Sequence, residues 1–158
     1  MNKSFLKKIF YFYFPVVFWM GLIFYLSSIP SLKSGVSNLS AEIIIRKSAH
    51  IIEFAVLAFL FWRIFYFGEG LDRRRAYWVA FIASAVFAVS DEVHQRFINE
   101  RSGRIIDVIV DVGGAVFSLL LIDIVYFQDR TKKKIYFLAL VGMVILLVVL
   151  LMVLSVGA

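Results

Sequence analysis

The sequence contains no cysteine among its 158 residues. Disulfide bonds, thiol nucleophiles and cysteine-ligated metals are therefore excluded, and cysteine usage gives no indication of the redox compartment. The sequence also lacks the H-E-x-x-H, phosphate-binding-loop and G-x-S-x-G motifs, so no short motif assigns a catalytic function. Neither an internal repeat nor a stretch with the composition of a soluble domain is present.

Charged residues are scarce as well, at 18% of the chain, whereas hydrophobic residues make up 62% and aromatic residues 17%. The mean hydropathy is +0.90. A soluble domain of this length has too small a core to bury so much Phe and Leu, so we predict an integral membrane protein. The net charge of +6 comes from basic residues at the ends of apolar runs and does not indicate a nucleic-acid partner.

Five apolar runs are each long enough to cross a bilayer as an α-helix. The first follows the basic start MNKSFLKK, but it is longer than the apolar part of a signal peptide and no cleavage site follows it. The sequence therefore predicts an all-α, polytopic membrane helix bundle with five transmembrane helices in one domain, residues 1–158. The predicted spans are residues 9–29, 47–67, 76–97, 104–127 and 135–155.

Lysine and arginine are distributed unequally between the two sides of this predicted bundle. One side holds Lys3, Lys7, Lys8, Arg73, Arg74, Arg75, Arg130, Lys132, Lys133 and Lys134, with Arg63 nearby, and the other holds Lys33, Arg46, Lys47, Arg96, Arg101 and Arg104. Because cytoplasmic loops are enriched in Lys and Arg, we expect the N-terminus in the cytoplasm and the C-terminus outside the membrane.

Ionisable residues also occur inside the predicted spans, where each costs about 2.5–3.5 kcal/mol on insertion scales. At 100° per residue, those of the second, third and fourth spans fall on one face of each helix. The three faces comprise Arg46, Lys47, His50 and Glu53; Asp91, Glu92, His94 and Gln95; and Asp107, Asp111, Gly114 and Ser118.

These faces are predicted to meet near the extracytoplasmic surface. Glu53, Asp91 and Asp111 lie about 8–10 Å inside their spans at the 1.5 Å rise of a helix, which places their carboxylates at one level. The basic residues lie closer to the surface, so we expect an acidic layer beneath a basic rim. The rim consists of Arg46, Lys47, Arg96, Arg101 and Arg104.

Three segments of these faces, RKSAHIIEF, SDEVHQRF and RSGRIIDVIVDVGG, occur in that order after an SSIP that follows the first span. In this order the segments resemble the signature of the VanZ-like membrane proteins, over about Tyr25 to Ser118. The resemblance implies a multi-pass protein of the bacterial plasma membrane with an envelope function, since the family's namesake is linked to tolerance of the glycopeptide teicoplanin. The family's characteristic residues correspond to Arg46, Lys47, His50, Glu53, Asp91, Glu92, Gln95, Arg101, Asp107 and Gly114.

The chain departs from this family pattern in three places. Asp111 stands where Asn is usual, Ser118 replaces a usual Gly, and Asn99–Glu100 replaces a common Pro-Gly. Asp111 adds a negative charge, which leaves the protonation state of the site open.

We first expect a binding function, in which the basic rim captures an anionic lipid, a lipid-linked wall precursor or a lipoglycopeptide. Its binding residues would be Arg46, Lys47, Gln95, Arg101, Asp107 and Asp111. The lipid bilayer is the other predicted partner, and no nucleic acid is expected.

The alternative is an intramembrane enzyme acting on a lipid-linked phosphate or acyl group. His50 or Glu53 would then act as base or nucleophile, oriented by Asp91 and Glu92, while Arg101 and Arg46 stabilise developing negative charge. Either function could depend on a divalent metal, because His50, Glu53, Asp91, Asp107 and Asp111 offer ligands suited to Mg, Mn or Zn. A purely structural network of buried ion pairs is the remaining possibility.

Other polar and aromatic residues have simpler expected roles. Trp62, Trp78, Tyr77 and Tyr126 are expected as anchors at the membrane interface. Asp123 is expected to pair with Arg130 near the cytoplasmic side, and the small pair Gly114 and Ser118 to serve helix packing.

Overall fold

The fold is taken from a computed structural model, which describes residues 3–29, 39–98, 104–127 and 141–142. Within these ranges all regular secondary structure is helical, which confirms the predicted all-α class. The α-helices are α1 (Lys3–Lys8), α2 (Phe14–Ser27), α3 (Leu39–Arg63), α4 (Arg73–Gln95) and α5 (Ile105–Tyr126).

Four stretches of the described chain are long and apolar enough to cross a membrane. They are Lys3–Ser27, Ile43–Gly68, Arg73–Gln95 and Ile105–Tyr126, and they correspond to the first four predicted spans. The predicted fifth span, residues 135–155, lies outside the described residues except for 141 and 142. The chain is therefore a multi-pass membrane protein, and a count of five spans stays a prediction.

Successive spans run in opposite directions, so the polar residues collect at two ends of the bundle. We call one the site end, where α2 and α4 finish and α3 and α5 begin, and there Ser27 bonds to Asp91. We call the opposite one the basic end, where the Arg73 side chain at the start of α4 contacts Asp123 near the end of α5.

Two π-helical turns, Ile9–Tyr13 and Ile64–Gly68, shape the basic end. Their similar sequences, IFYFY and IFYFG, pack against each other, and a Cβ on Gly68 would lie only 3.3 Å from the Phe12 ring. The sequence periodicity did not predict these turns, because a single wider turn hardly disturbs the pattern of an all-apolar run.

Glu69 follows the second of these turns and ties it to the first span. The Tyr13 hydroxyl donates a hydrogen bond to Glu69 Oε1, and Lys8 Nζ lies 3.0 Å from the same oxygen. Together these two donors hold the pKa of the Glu69 carboxyl below its usual range. The chain then turns at Gly70, with φ of +67°, and Asp72 caps α4 by accepting a hydrogen bond from the Arg75 amide.

The helices α3 and α5 are in close backbone contact at Gly114. A Cβ at this position would lie 2.3 Å from the carbonyl oxygen of Ile51, so only glycine permits the observed spacing. Because Ile51 follows His50 and Gly114 lies one turn after Asp111, this contact also sets the distance between those two polar side chains. The predicted packing role of Gly114 is thereby confirmed.

Trp62 is fully buried and does not act as the interface anchor that we expected. Its ring packs among aromatic side chains of the basic end, including Tyr66 at a centroid distance of 5.2 Å and Tyr126 at 5.2 Å. In contrast, Trp78 is exposed on the outer surface of α4. Large apolar side chains such as Val86 of α4 and Val125 of α5 are also exposed, as lipid contact requires.

Candidate functional site

Asp91 forms the centre of the site end and is fully buried near the end of α4. Its Oδ2 accepts hydrogen bonds from Ser27 Oγ at 2.9 Å and from Gln95 Nε2 at 2.7 Å. The Gln95 amide also lies 3.2 Å from Ser27 Oγ, so the three side chains orient one another. The second oxygen of Asp91, Oδ1, has no hydrogen-bond partner in the described part of the chain.

His50 of α3 and Asp111 of α5 lie next to each other at the same depth. His50 Nδ1 is 3.2 Å from Asp111 Oδ1, but the two atoms are not aligned as a hydrogen bond. Asp111 is 1% exposed and neither of its oxygens has a hydrogen-bond partner among the described residues. One ligand atom each from His50, Asp91 and Asp111 lies within 4.8 Å of the other two.

Glu92 adds a further buried acid to the site end. Its side chain is 2% exposed and its neighbours include the carboxylates of Asp107 and Asp111. It also faces the backbone amide of Arg104, yet within the described ranges neither of its oxygens forms a hydrogen bond of normal geometry. Three almost fully buried carboxylates, those of Asp91, Glu92 and Asp111, therefore lie together.

Lys47 and Asp107 form the ion pair at the outer edge of this group. Both side chains are partly buried, and Asp107 lies in the first turn of α5, where the helix dipole favours a negative charge. Lys47 is therefore engaged by an acid of the protein itself, and its role in ligand binding stays a prediction.

His94, the second histidine of the chain, contacts the end of α2. Ser28 Oγ donates its hydrogen to the Phe24 carbonyl at 2.7 Å and lies 2.9 Å from His94 Nε2. Because the hydroxyl has one hydrogen, this arrangement assigns the donor role in the second bond to His94. His94 is thus held by a structural contact, and its ring packs against that of Phe24 at a centroid distance of 4.9 Å and a tilt of 38°.

The remaining predicted site residues lie around this group. Glu53 is half-buried on α3, where its backbone carbonyl accepts a hydrogen bond from Trp19 Nε1 at 2.9 Å. Arg46 is half-buried near the start of α3, and Arg96 and Arg104 are exposed at the end of α4 and the start of α5. Arg101 lies outside the described residues, as do Asn99 and Glu100.

The basic end contains a single almost fully buried acid among the described residues, and it is paired. Asp123 is 4% exposed; its Oδ1 accepts from Arg73 and, at 2.9 Å, from the Tyr77 hydroxyl. The expected partner Arg130 lies outside the described residues. The prediction relied on proximity in sequence and so did not find Arg73 as the partner. Only the antiparallel packing of α4 and α5 brings Arg73 to Asp123.

Sequence reasoning also missed Ser27 and Ser28 as parts of the site. The one signal for them was the SSIP segment at the end of the first span, which fitted the family pattern but suggested no role. The structure shows that α2 contributes hydrogen bonds to Asp91 and His94 through these two side chains.

The fold and this site define the class of the molecule: a multi-pass α-helical membrane protein with a buried polar site at one end of its bundle. A family model described as VanZ/LLP1 matches residues 12–126, a range that includes every described residue of the site. The chain therefore belongs to the VanZ-like family, as its motifs predicted. No curated protein and no solved structure matches the chain significantly.

Proposed function

We propose that this protein binds the head group of an anionic envelope lipid, or of a lipid-linked wall precursor or lipoglycopeptide, at the site end. One observation carries this proposal: the described arginines around the site, Arg46, Arg96 and Arg104, form no ion pair with any residue that the structure describes. At the basic end, by contrast, Arg73 and Arg75 are both paired with acids.

Guanidinium groups suit this ligand because they present a planar set of donors that matches phosphate and carboxylate oxygens. Arg96 and Arg104 each neighbour a strongly exposed apolar residue, Phe97 at 82% and Ile105 at 75% exposure. A ligand with a charged head and an acyl tail satisfies both kinds of surface at once. Free phosphate would use the arginines and leave these apolar side chains uncovered.

The distribution of Lys and Arg supports an extracytoplasmic position for the site end, and the family resemblance supports a bacterial plasma membrane. The ligand would then come from the outer leaflet or the wall precursors attached to it. This position fits the glycopeptide tolerance that the family resemblance implies.

The proposal is tested by titrating the purified protein in detergent with short-chain phosphatidylglycerol and with phosphatidylcholine. We expect a preference for the anionic lipid that falls by at least about tenfold in the Arg46→Ala/Arg104→Ala double variant, since the loss of even one charged hydrogen bond weakens binding that much. Arg75→Ala, an exposed arginine at the basic end, is the matched control and should bind like the wild type. Equal affinity for both lipids, or an equal loss in the control, would refute lipid recognition at this site.

A second candidate is an enzyme acting on the same class of lipid, because buried carboxylates beside an imidazole also suit proton transfer. In that case Glu53 or His50 would act as base or nucleophile. Incubation with radiolabelled envelope lipids separates the two functions: conversion of a lipid by the wild type but not by Glu53→Gln supports the enzyme. Retention without conversion supports binding alone.

A further inference from the structure

We propose that His50, Asp91 and Asp111 form a binding site for one divalent transition-metal cation, Zn²⁺ or Mn²⁺, within the site end. The three residues come from three different helices, α3, α4 and α5, so such an ion would join them directly. This inference does not depend on the lipid ligand proposed above.

The ligand atoms have suitable chemistry and separation. Imidazole nitrogen together with carboxylate oxygen is a donor set that Zn²⁺ and Mn²⁺ accept, whereas Mg²⁺ and Ca²⁺ prefer oxygen alone. Bonds of about 2.2 Å from one ion place two ligand atoms at most ~4.4 Å apart. The three ligand atoms lie within 4.8 Å of one another, so small side-chain rotations are sufficient.

The burial of unpartnered polar atoms points to a positively charged occupant. Asp91 Oδ1 and Asp111 Oδ2 are buried and make no hydrogen bond to any described residue. His50 Nδ1 and Asp111 Oδ1 are buried as well and lie 3.2 Å apart. Leaving a buried polar atom unpaired costs about 1–3 kcal/mol, and more when the atom is charged. Such a set of acceptors facing one another is stabilised by a cation between them.

The charge balance favours a divalent ion over a monovalent one. Asp91, Glu92 and Asp111 carry three carboxylates at 0–2% exposure. The nearby ammonium of Lys47 is already paired with Asp107. A divalent cation bound between His50, Asp91 and Asp111 compensates the charge of both ligating carboxylates, which an imidazole alone does not.

The residues around the three ligands act as a supporting shell. Ser27 and Gln95 both bond to Asp91 Oδ2 and thereby fix the orientation of the carboxylate while leaving Oδ1 available. Hydrogen bonds of this kind raise metal affinity by about 10- to 100-fold in known sites. His50 is 18% exposed, which gives the ion a route from the surface at the site end.

The test is to measure metal content and metal binding in the full-length protein purified without chelator. Elemental analysis should find about one Zn or Mn per chain. After removal of metal by a chelator, titration with Zn²⁺ and with Mn²⁺ should restore binding at one site and raise the melting temperature. Asp111→Asn and His50→Gln should each lower the affinity by at least about 100-fold, and Ser27→Ala by about tenfold.

Two matched controls distinguish this site from incidental binding. His94→Gln removes the other histidine and Asp123→Asn the paired buried acid of the basic end, and both should keep wild-type affinity. Each variant is first checked for a single monodisperse species, and Asp91→Asn serves as the substitute should Asp111→Asn fail this check. Absence of bound metal together with no shift in melting temperature would overturn the proposal, as would full affinity in the His50→Gln/Asp91→Asn double variant.

The outcome is independent of the lipid experiment. Loss of metal binding with normal phosphatidylglycerol binding would overturn the metal site alone. Normal metal binding without lipid preference would leave the metal site intact and remove the proposed function.

Discussion

The two ends of the bundle differ in the partners that they provide for buried acidic side chains. At the basic end the buried carboxylate of Asp123 is bonded to an arginine and a tyrosine. At the site end Asp91, Glu92 and Asp111 are as deeply buried, but none of the three is paired with a described arginine. Neither oxygen of Glu92 or of Asp111 forms a hydrogen bond to a described residue, whereas at Asp123 only Oδ2 lacks one. Since both ends belong to the same helices, the chain is able to pair a buried acid with an arginine. The lack of such a described partner at the site end supports the proposed ligand site.

The arginines of the two ends also differ in their contacts with aromatic rings. Arg63 lies over the Tyr11 ring at 4.1 Å, and Arg73 over the Phe127 ring at 4.3 Å, so basic-end guanidinium groups are held against aromatic faces of the protein. Such contacts anchor the chain in the interface and leave little capacity for a ligand. The arginines of the site end have no comparable contact within the described ranges, in agreement with a binding role.

The largest expected effect follows from Gly114, which holds α3 against α5. Gly114→Leu should lower the free energy of unfolding by about 3 kcal/mol or more, since the new side chain meets the Ile51 backbone. Because this contact lies one turn from Asp111, the site end should lose its geometry first. Thermal melts in detergent measure the loss, and Gly21→Leu, with open space around its Cα, is the control that should melt like the wild type.

A second pair of variants tests the paired and unpaired acids directly. Asp123→Asn should lower the unfolding free energy by about 2 kcal/mol, because Arg73 loses its charged partner. Glu92→Gln should raise it by about 1 kcal/mol in metal-free protein at a pH where the carboxyl is ionised, since a buried charge without a described hydrogen bond is removed. Denaturant or thermal unfolding of both variants, compared with the wild type, measures whether each substitution lowers or raises the free energy of unfolding. Destabilisation of equal size at both positions would contradict the proposed difference between the ends.

The ion pairs of the two ends should differ in strength as well. Lys47 and Asp107 are 20% and 15% exposed, so Lys47→Ala should cost about 1–2 kcal/mol of stability. Arg75 and Asp72 are 77% and 57% exposed, and Arg75→Ala should cost at most about 0.5 kcal/mol. An equal loss of stability in the two variants would contradict the expectation that burial strengthens the ion pair of Lys47 with Asp107.

The smallest effect is expected at Glu69, which is exposed and lies outside the spans. Because its pKa is lowered in the folded protein, its contacts with Tyr13 and Lys8 stabilise the fold above the pKa of the unfolded chain. That contribution is lost as the pH falls through the lower, folded-state pKa. Comparing melting temperatures of wild type and Glu69→Gln from neutral to acidic pH should show a small deficit at neutral pH that disappears in acid.

Most of the fold was predictable because a bilayer imposes simple rules on sequence. Runs of apolar residues interrupted by basic loops located the four described spans, and helical geometry placed His50, Asp91, Gln95 and Asp111 on faces that do meet. The π-helical turns were not predictable, since an apolar run such as IFYFY has no polar residue whose phase reveals a wider turn. They determine how Glu69 reaches Tyr13.

The contacts between residues within the site were less predictable than which residues belong to it. Helical wheels gave the face of each residue but not which residues of neighbouring helices it would contact. Ser27 was missed because serine is common at helix ends, and Asp123 was assigned a sequence neighbour because the packing of α4 on α5 was unknown. In the same way, the absence of a described hydrogen-bond partner for Asp91 Oδ1 and Asp111 Oδ2 depends on distances between helices, which no single helix encodes.

The most direct test of a ligand site at the site end is the Asp111→Asn variant, measured for stability and binding in one preparation. The substitution keeps the size of the side chain and removes only its capacity to carry a negative charge. We expect a melting temperature equal to or above that of metal-free wild type, together with a loss of metal binding. A clear drop in melting temperature with unchanged binding would show that Asp111 supports the fold, and that the buried acids of the site end do not serve a ligand.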